Sequence, residues 1–153
     1  MDLVLWRHAE AVECDDPAHD SLRKLTSRGE KQAIRMANWL DRQLPQSTRV
    51  WVSPTVRTQQ TAQALGRPCK IRQELGPEAS VDQIIKIIEW PNGKSPILLV
   101  GHQPTLGHLI ARLLNVTSGE LPVKKGSVWW LRYRLRDNIG KTVLLAVQSP
   151  DTL

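Results

Sequence analysis

"LVLWRHAEAV", residues 3–12, runs four consecutive apolar residues into an arginine–histidine pair. A strand with one solvated face alternates apolar and polar residues; an unbroken run such as Leu3–Trp6 indicates burial on both faces, as in a central strand of a parallel sheet covered by helices. The polar pair then falls at the carboxyl end of that strand. In open α/β sheets this is where loops and helix N-termini gather around ligands. Residues 2–6 thus form a rigid apolar post, and Arg7-His8 is its reactive tip.

The pattern repeats outward from this strand. Residues 11–24 are polar and irregular and predict an exposed loop. Ser27 with Glu30 forms a capping-box signal, and Ala33, Ala37, Leu40 and Leu44 follow at helical spacing, predicting a helix over 27–44. Residues 49–52 predict a second strand. Ser53 then caps a helix that begins at Pro54 and reaches Leu65. Residues 69–72 form a weaker strand, and Ser80 caps a helix with Val81, Ile84, Ile85 and Ile88 on one stripe. A second fully apolar strand, 97–100, leads into a helix marked by Leu106, Leu109, Ile110, Leu113 and Leu114. Two strands, 127–135 and 141–148, close the chain as a hairpin across "RDNIG". The order predicts an α/β fold: a mostly parallel sheet with helices on both faces, in a single domain over 1–153.

Composition narrows the class. The chain has 153 residues, 41% hydrophobic and 24% charged, with ten prolines and nine glycines spread along it, which fits one globular domain and not a disordered chain. Its longest apolar runs fall well short of the roughly 20 residues of a membrane-spanning helix, and Asp2, Arg7 and His8 interrupt any secretory core. A cytoplasmic protein without membrane partners is expected. Cys14 and Cys69 make no ligand-spaced motif and predict reduced thiols. The net charge of +6 is compatible with a nucleic acid, an anionic substrate or a merely solvated surface. Basic residues are dispersed, however, and the alternating Arg132, Arg134 and Arg136 occupy one face of a strand, as in a solvated sheet. No nucleic-acid partner is expected.

Three strands end in polar groups: Arg7-His8, Ser53-Pro54 with Arg57 one turn into the following helix, and Gly101-His102. Two arginines and two of only four histidines thereby converge from remote positions. Each alone has an ordinary structural explanation, but the coincidence of all four at strand ends points to a site. Guanidinium forks bind oxyanions bidentately and stay charged, so the pair defines a seat for a phosphoryl group. No ligand carboxylates accompany them, which argues against a metal, and no cofactor is expected. A neutral imidazole beside a bound phosphoryl group can attack phosphorus in line and form a phosphohistidine that water hydrolyses.

These residues carry a resemblance. "LVLWRHAEA" resembles the Arg-His-Gly signature of the histidine phosphatase superfamily, "LTSRGEKQA" its Leu-Thr-x-x-Gly helix start, "VSPTVRTQQTA" its Ser-Pro-x-x-Arg-x-x-Gln-Thr segment, and "LLVGHQP" its Val-Gly-His strand end. The small size without a long insertion is similar to the SixA type of protein phosphohistidine phosphatase. The resemblance implies a phosphoglycerate mutase-like three-layer sandwich and a metal-independent phosphatase. It implies His8 as the nucleophile, Arg7 and Arg57 as ligands of phosphoryl oxygens, and His102 as a donor that completes the pocket. Its implied substrate is phosphohistidine on a protein, such as a His-containing phosphotransfer domain; the alternative within the superfamily is a small phosphomonoester. Two departures stand out. Ala9 replaces the commoner glycine, which puts the local turn in question. The chain also lacks the insertion that carries a glutamate general acid in larger members, leaving Glu78, Glu74 and Glu10 as candidates, with Glu78 favoured. An imidazole leaving group needs less protonation than an alkoxide, so the missing acid agrees with a phosphohistidine substrate.

Other motifs carry less. "GKT" at 140–142 mimics the end of a P-loop, but Leu135 stands where that motif needs glycine. No Gly-x-Ser-x-Gly elbow occurs. His19 and His108 are expected in structural or solvent-facing roles, with His19 on the loop that could edge the pocket. Trp129 and Trp130 are expected on opposite faces of a strand, one in the core and the other at the surface. A basic nucleic-acid-binding module with an inactive site is the competing class.

Overall fold

Asp2–Arg7 forms β1, and Leu3, Val4, Leu5 and Trp6 have no solvent exposure in the computed structural model, which describes residues 1–117 and 119–153. Val4 and Trp6 point to one side of the sheet, where they meet α1 (Ser27–Gln43) and α2 (Val56–Gln63). Leu3 and Leu5 point to the other, against α3 (Val81–Ile87) and α4 (Thr105–Leu113). This gives the expected three layers. Each fully buried side chain of this size contributes about 1.5–3 kcal/mol, so β1 is held from both sides along four successive residues.

The remaining strands are β2 (Arg49–Val52), β3 (Cys69–Ile71), β4 (Ile97–Gly101), β5 (Val128–Arg136) and β6 (Ile139–Gln148). They lie in the order β3-β2-β4-β1-β5-β6. The pairings β3–β2, β2–β4 and β4–β1 are parallel, whereas β1–β5 and β5–β6 are antiparallel. Like β1, β4 is buried on both faces. Among the described residues no helix is long and apolar enough to cross a membrane.

Several boundaries differ from the sequence pattern for local reasons. The cap of α1 is Thr26 and not Ser27: Thr26 Oγ1 accepts from Gly29 N at 2.9 Å and donates to Glu10 Oε2 at 2.6 Å. A Cβ at Gly29 would lie 2.0 Å from the Glu10 carbonyl oxygen, so glycine lets this helix dock on the segment just past His8. The second helix begins at Val56 with Thr55 as its cap, because the Ser53 hydroxyl is engaged elsewhere. The terminal hairpin turns more tightly than expected, through Asp137 and Asn138 alone. Both have positive φ (50° and 62°), which suits the right-handed twist of the flanking strands. The 11–24 loop contains a short 3-10 helix, Pro17–Leu22, capped by Asp16. Trp130 is buried on the α1 side, and Trp129, expected at the surface, is instead half-buried against the core on the opposite side, because this strand is covered on both faces.

Candidate active site

Three parallel strands terminate side by side and set the site residues at one level. The register pairs Arg7 with Gly101 and Val52 with Val100. Just beyond, His8 N donates to Gly101 O and Ser53 N donates to Val100 O, each at 3.1 Å. His8, Ser53 and His102 therefore emerge next to one another. Ala9 is buried and has no positive φ, so the turn after His8 does not use backbone space reserved for glycine. Its N–H donates to Thr61 Oγ1 at 3.1 Å, tying the turn to α2.

The two imidazoles lie with ring centroids 5.4 Å apart. His8 Nδ1 is 2.7 Å from the Ala9 carbonyl oxygen. A carbonyl only accepts, so Nδ1 carries the proton and Nε2 keeps its lone pair. Burial, reinforced by the charges of Arg57, Arg7 and Arg23 and opposed by the Ala9 hydrogen bond, lowers the His8 pKa to about 4. Burial and the Arg57 charge lower His102 to about 3. Both rings are neutral near pH 7. His102 Nε2 is 2.7 Å from Ser53 Oγ, and its Nδ1 is 3.5 Å from Arg57 Nη2. Arg57 Nη2 only donates, so in this contact His102 Nδ1 accepts and its Nε2–H donates to Ser53 Oγ; the other tautomer, with the Ser53 hydroxyl donating to Nε2, frees Nδ1–H for an anion.

Arg57 is 3% exposed, and Arg7 donates through Nη1 to the Val123 carbonyl at 2.7 Å. Among the described residues the buried Nε of both arginines has no acceptor in the protein. Leaving such a donor unmet costs about 1–3 kcal/mol. The structure thus brings together Arg7, His8, Arg57 and His102 and offers what a phosphoryl group needs: fixed positive charge, free N–H donors and an unprotonated ring nitrogen.

Comparison with known proteins agrees with this geometry. The family model of the histidine phosphatase superfamily (branch 1) matches residues 3–80. Phosphohistidine phosphatase SixA of Escherichia coli (strain K12) is 32% identical over 130 residues, 80% of this chain and 78% of that one. This chain belongs to the histidine phosphatase superfamily. A solved structure of the protein histidine phosphatase SixA complexed with tungstate superposes with a TM-score of 0.81 at 28% identity, covering 99% of both chains. A phosphoserine phosphatase mutant of Entamoeba histolytica, at 14% identity and TM-score 0.71 over 99% of this chain and 98% of that one, shares the fold.

In this histidine phosphatase the three candidate acids are placed differently. Glu10 accepts from the Thr26 hydroxyl and pairs with Arg28 at 3.6 Å, so it anchors α1. Glu74 pairs with Arg72 at 3.3 Å. Glu78 is exposed and lines a cleft shared with Asp20 and Pro54. His19 is exposed beside Asp16, and His108 is exposed against the Gly119 carbonyl.

Two residues of the site escape sequence reasoning. Ser53 reads as a helix cap but is the partner of His102. Asp20 lies in the polar loop with no motif around it, yet its carboxylate and carbonyl both accept from Arg57. A place at the strand ends is the signal that could have found Ser53; for Asp20, only the polarity of a loop able to fold over the pocket pointed that way.

Proposed function

We propose that this phosphatase, acting as one domain over 1–153, removes the phosphoryl group from phosphohistidine on a protein through a covalent intermediate on His8. The observation that carries the proposal is the neutral, buried His8 ring, with Nε2 unprotonated, in the field of two guanidinium groups whose Nε donors have no acceptor among the described residues. In the first step His8 Nε2 bonds to phosphorus as the bond from phosphorus to the substrate imidazole breaks; protonated on its other ring nitrogen, that imidazole takes the bonding pair and leaves neutral without a proton from the enzyme. In the second, water bonds to phosphorus, the bond to Nε2 breaks, and phosphate leaves with the ring neutral again. Arg7 and Arg57 hold the equatorial oxygens, and His102 donates to one of them as charge develops. The tungstate complex of the SixA relative supports an oxyanion seat in this fold.

Substrate class follows from the acids. Glu10 and Glu74 are committed to other partners and Glu78 is exposed, so Glu78 remains the candidate proton donor only if substrate brings it into contact. A general acid is worth about 10²–10⁴-fold to a reaction that expels an alkoxide. An imidazole leaves without that help. Phosphohistidine on a protein should therefore be hydrolysed about 10²–10⁴-fold faster, in kcat/KM, than an alkyl phosphomonoester. Equal or inverted rates would assign small phosphomonoesters as the substrates instead.

The acid limb of the pH profile follows from His8. The neutral ring is the active form, and its pKa is lowered to about 4, so protonation removes activity only below that value. Corrected for the substrate's own ionisation near pH 6, kcat/KM should stay level from pH 8 to about 5. A steep fall between pH 8 and 7 would contradict a buried neutral nucleophile.

A further inference from the structure

The 3-10 helix Pro17–Leu22 lays Asp20 directly on the phosphoryl-binding machinery. Arg57 Nη1 donates to the Asp20 carbonyl at 2.8 Å, and Arg57 Nη2 donates to Asp20 Oδ2 at 3.1 Å. The other carboxylate oxygen, Oδ1, accepts from Arg23 Nε at 3.0 Å. The Arg57 fork is thus divided: one edge holds an acid of the chain itself, while Nε has no acceptor among the described residues. Burial alone would raise the Asp20 pKa, but the charge and hydrogen bond of Arg57, with those of Arg23, hold it below the usual carboxylate value. Asp20 is therefore a fixed anion and not a proton donor.

Position decides what this anion does. The Asp20 side chain is 43% exposed, against 4% for Arg57, so the carboxylate stands at the mouth, on the solvent side of the arginine. Glu78 lines the same cleft, whereas Glu74 there is neutralised by Arg72. An incoming carboxylate would need the N–H groups of Arg57 and Arg23 that Asp20 already uses, and it would meet like charge instead.

We propose that Asp20 is a specificity-determining residue: by filling the second-anion position beside the phosphoryl seat, it rejects phosphorylated molecules that carry a neighbouring carboxylate. The proposal rests on the reading that Arg7, His8, Arg57 and His102 seat the phosphoryl group. It predicts that uncharged surroundings of the phosphoryl group, as around a protein imidazole, are selected over anionic ones.

Glycerol 3-phosphate and 3-phosphoglycerate test this, since they differ only in a hydroxymethyl group against a carboxylate. The parent enzyme should favour glycerol phosphate in kcat/KM, and Asp20→Asn should shrink that ratio by about tenfold or more, the scale of a charge-assisted hydrogen bond made available to the substrate. A ratio unchanged within about twofold would overturn the role of Asp20. Should Asp20→Asn lose turnover because Arg57 is displaced, the same ratio is read from the two dissociation constants by calorimetry: a tenfold contraction supports the role, and an unchanged ratio overturns it. The outcomes separate from the phosphohistidine assignment. A fixed ratio refutes Asp20 alone, and equal turnover of phosphohistidine protein and alkyl ester refutes the proposed substrate while leaving the Asp20 ratio to stand or fall by itself.

Discussion

His8→Ala should abolish turnover, with a loss of about 10⁴–10⁶-fold in kcat on any phosphorylated substrate, the scale seen when a covalent nucleophile is removed. The ring is buried beside His102 and in the field of Arg57 and Arg7, and the neighbouring imidazole is already engaged with Ser53 and Arg57. Because the side chain is buried, circular dichroism and the denaturation midpoint must accompany the assay. A folded variant with near-normal phosphatase activity would remove His8 from the chemistry.

Arg57→Ala should lower kcat/KM by about 10²–10⁴-fold through lost stabilisation of transition-state charge. This side chain touches more than one part of the site: its fork holds Asp20, approaches His102 Nδ1, and carries a buried Nε without an acceptor among the described residues. Arg57→Lys should recover only part of the loss, since an ammonium supplies charge without the planar fork. If the alanine variant keeps near-normal activity, the anion seat is not where these donors point. If lysine restores full activity, charge alone suffices and the bidentate geometry is irrelevant.

What could be read from the chain depended on how far each signal reached. Leu3–Trp6 and Ile97–Val100 announced a covered parallel sheet because burial on both faces removes every polar alternation from the strand itself. Once those strands were placed, Arg7, His8 and His102 followed by adjacency, and Arg57 by one helical turn. Ser53 was visible at the same strand end, but a serine before proline at a helix start has a simpler explanation as a cap; only the folded register shows the hydroxyl beside His102. Thr26 and Ser27 compete as caps one residue apart, and the contact that decides between them, Gly29 against the Glu10 backbone, is made across the fold. Asp20 was out of reach for the same reason. Its partner lies 37 residues away, and nothing in "DPAHDSL" encodes where the loop folds back. Local periodicity carries strands, helices and their order, whereas partners chosen across loops become visible only when the chain is assembled.

The proposed mechanism stands or falls on transfer of the phosphoryl group to His8. Rapid mixing with a phosphohistidine-bearing protein or another phosphodonor, quenching at alkaline pH and mapping by mass spectrometry follow that transfer atom by atom. The expected outcome is one acid-labile phosphate on the His8 peptide, absent in His8→Ala. Turnover with the label on another residue, or with no trapped label under conditions that preserve phosphohistidine in the substrate, would contradict it.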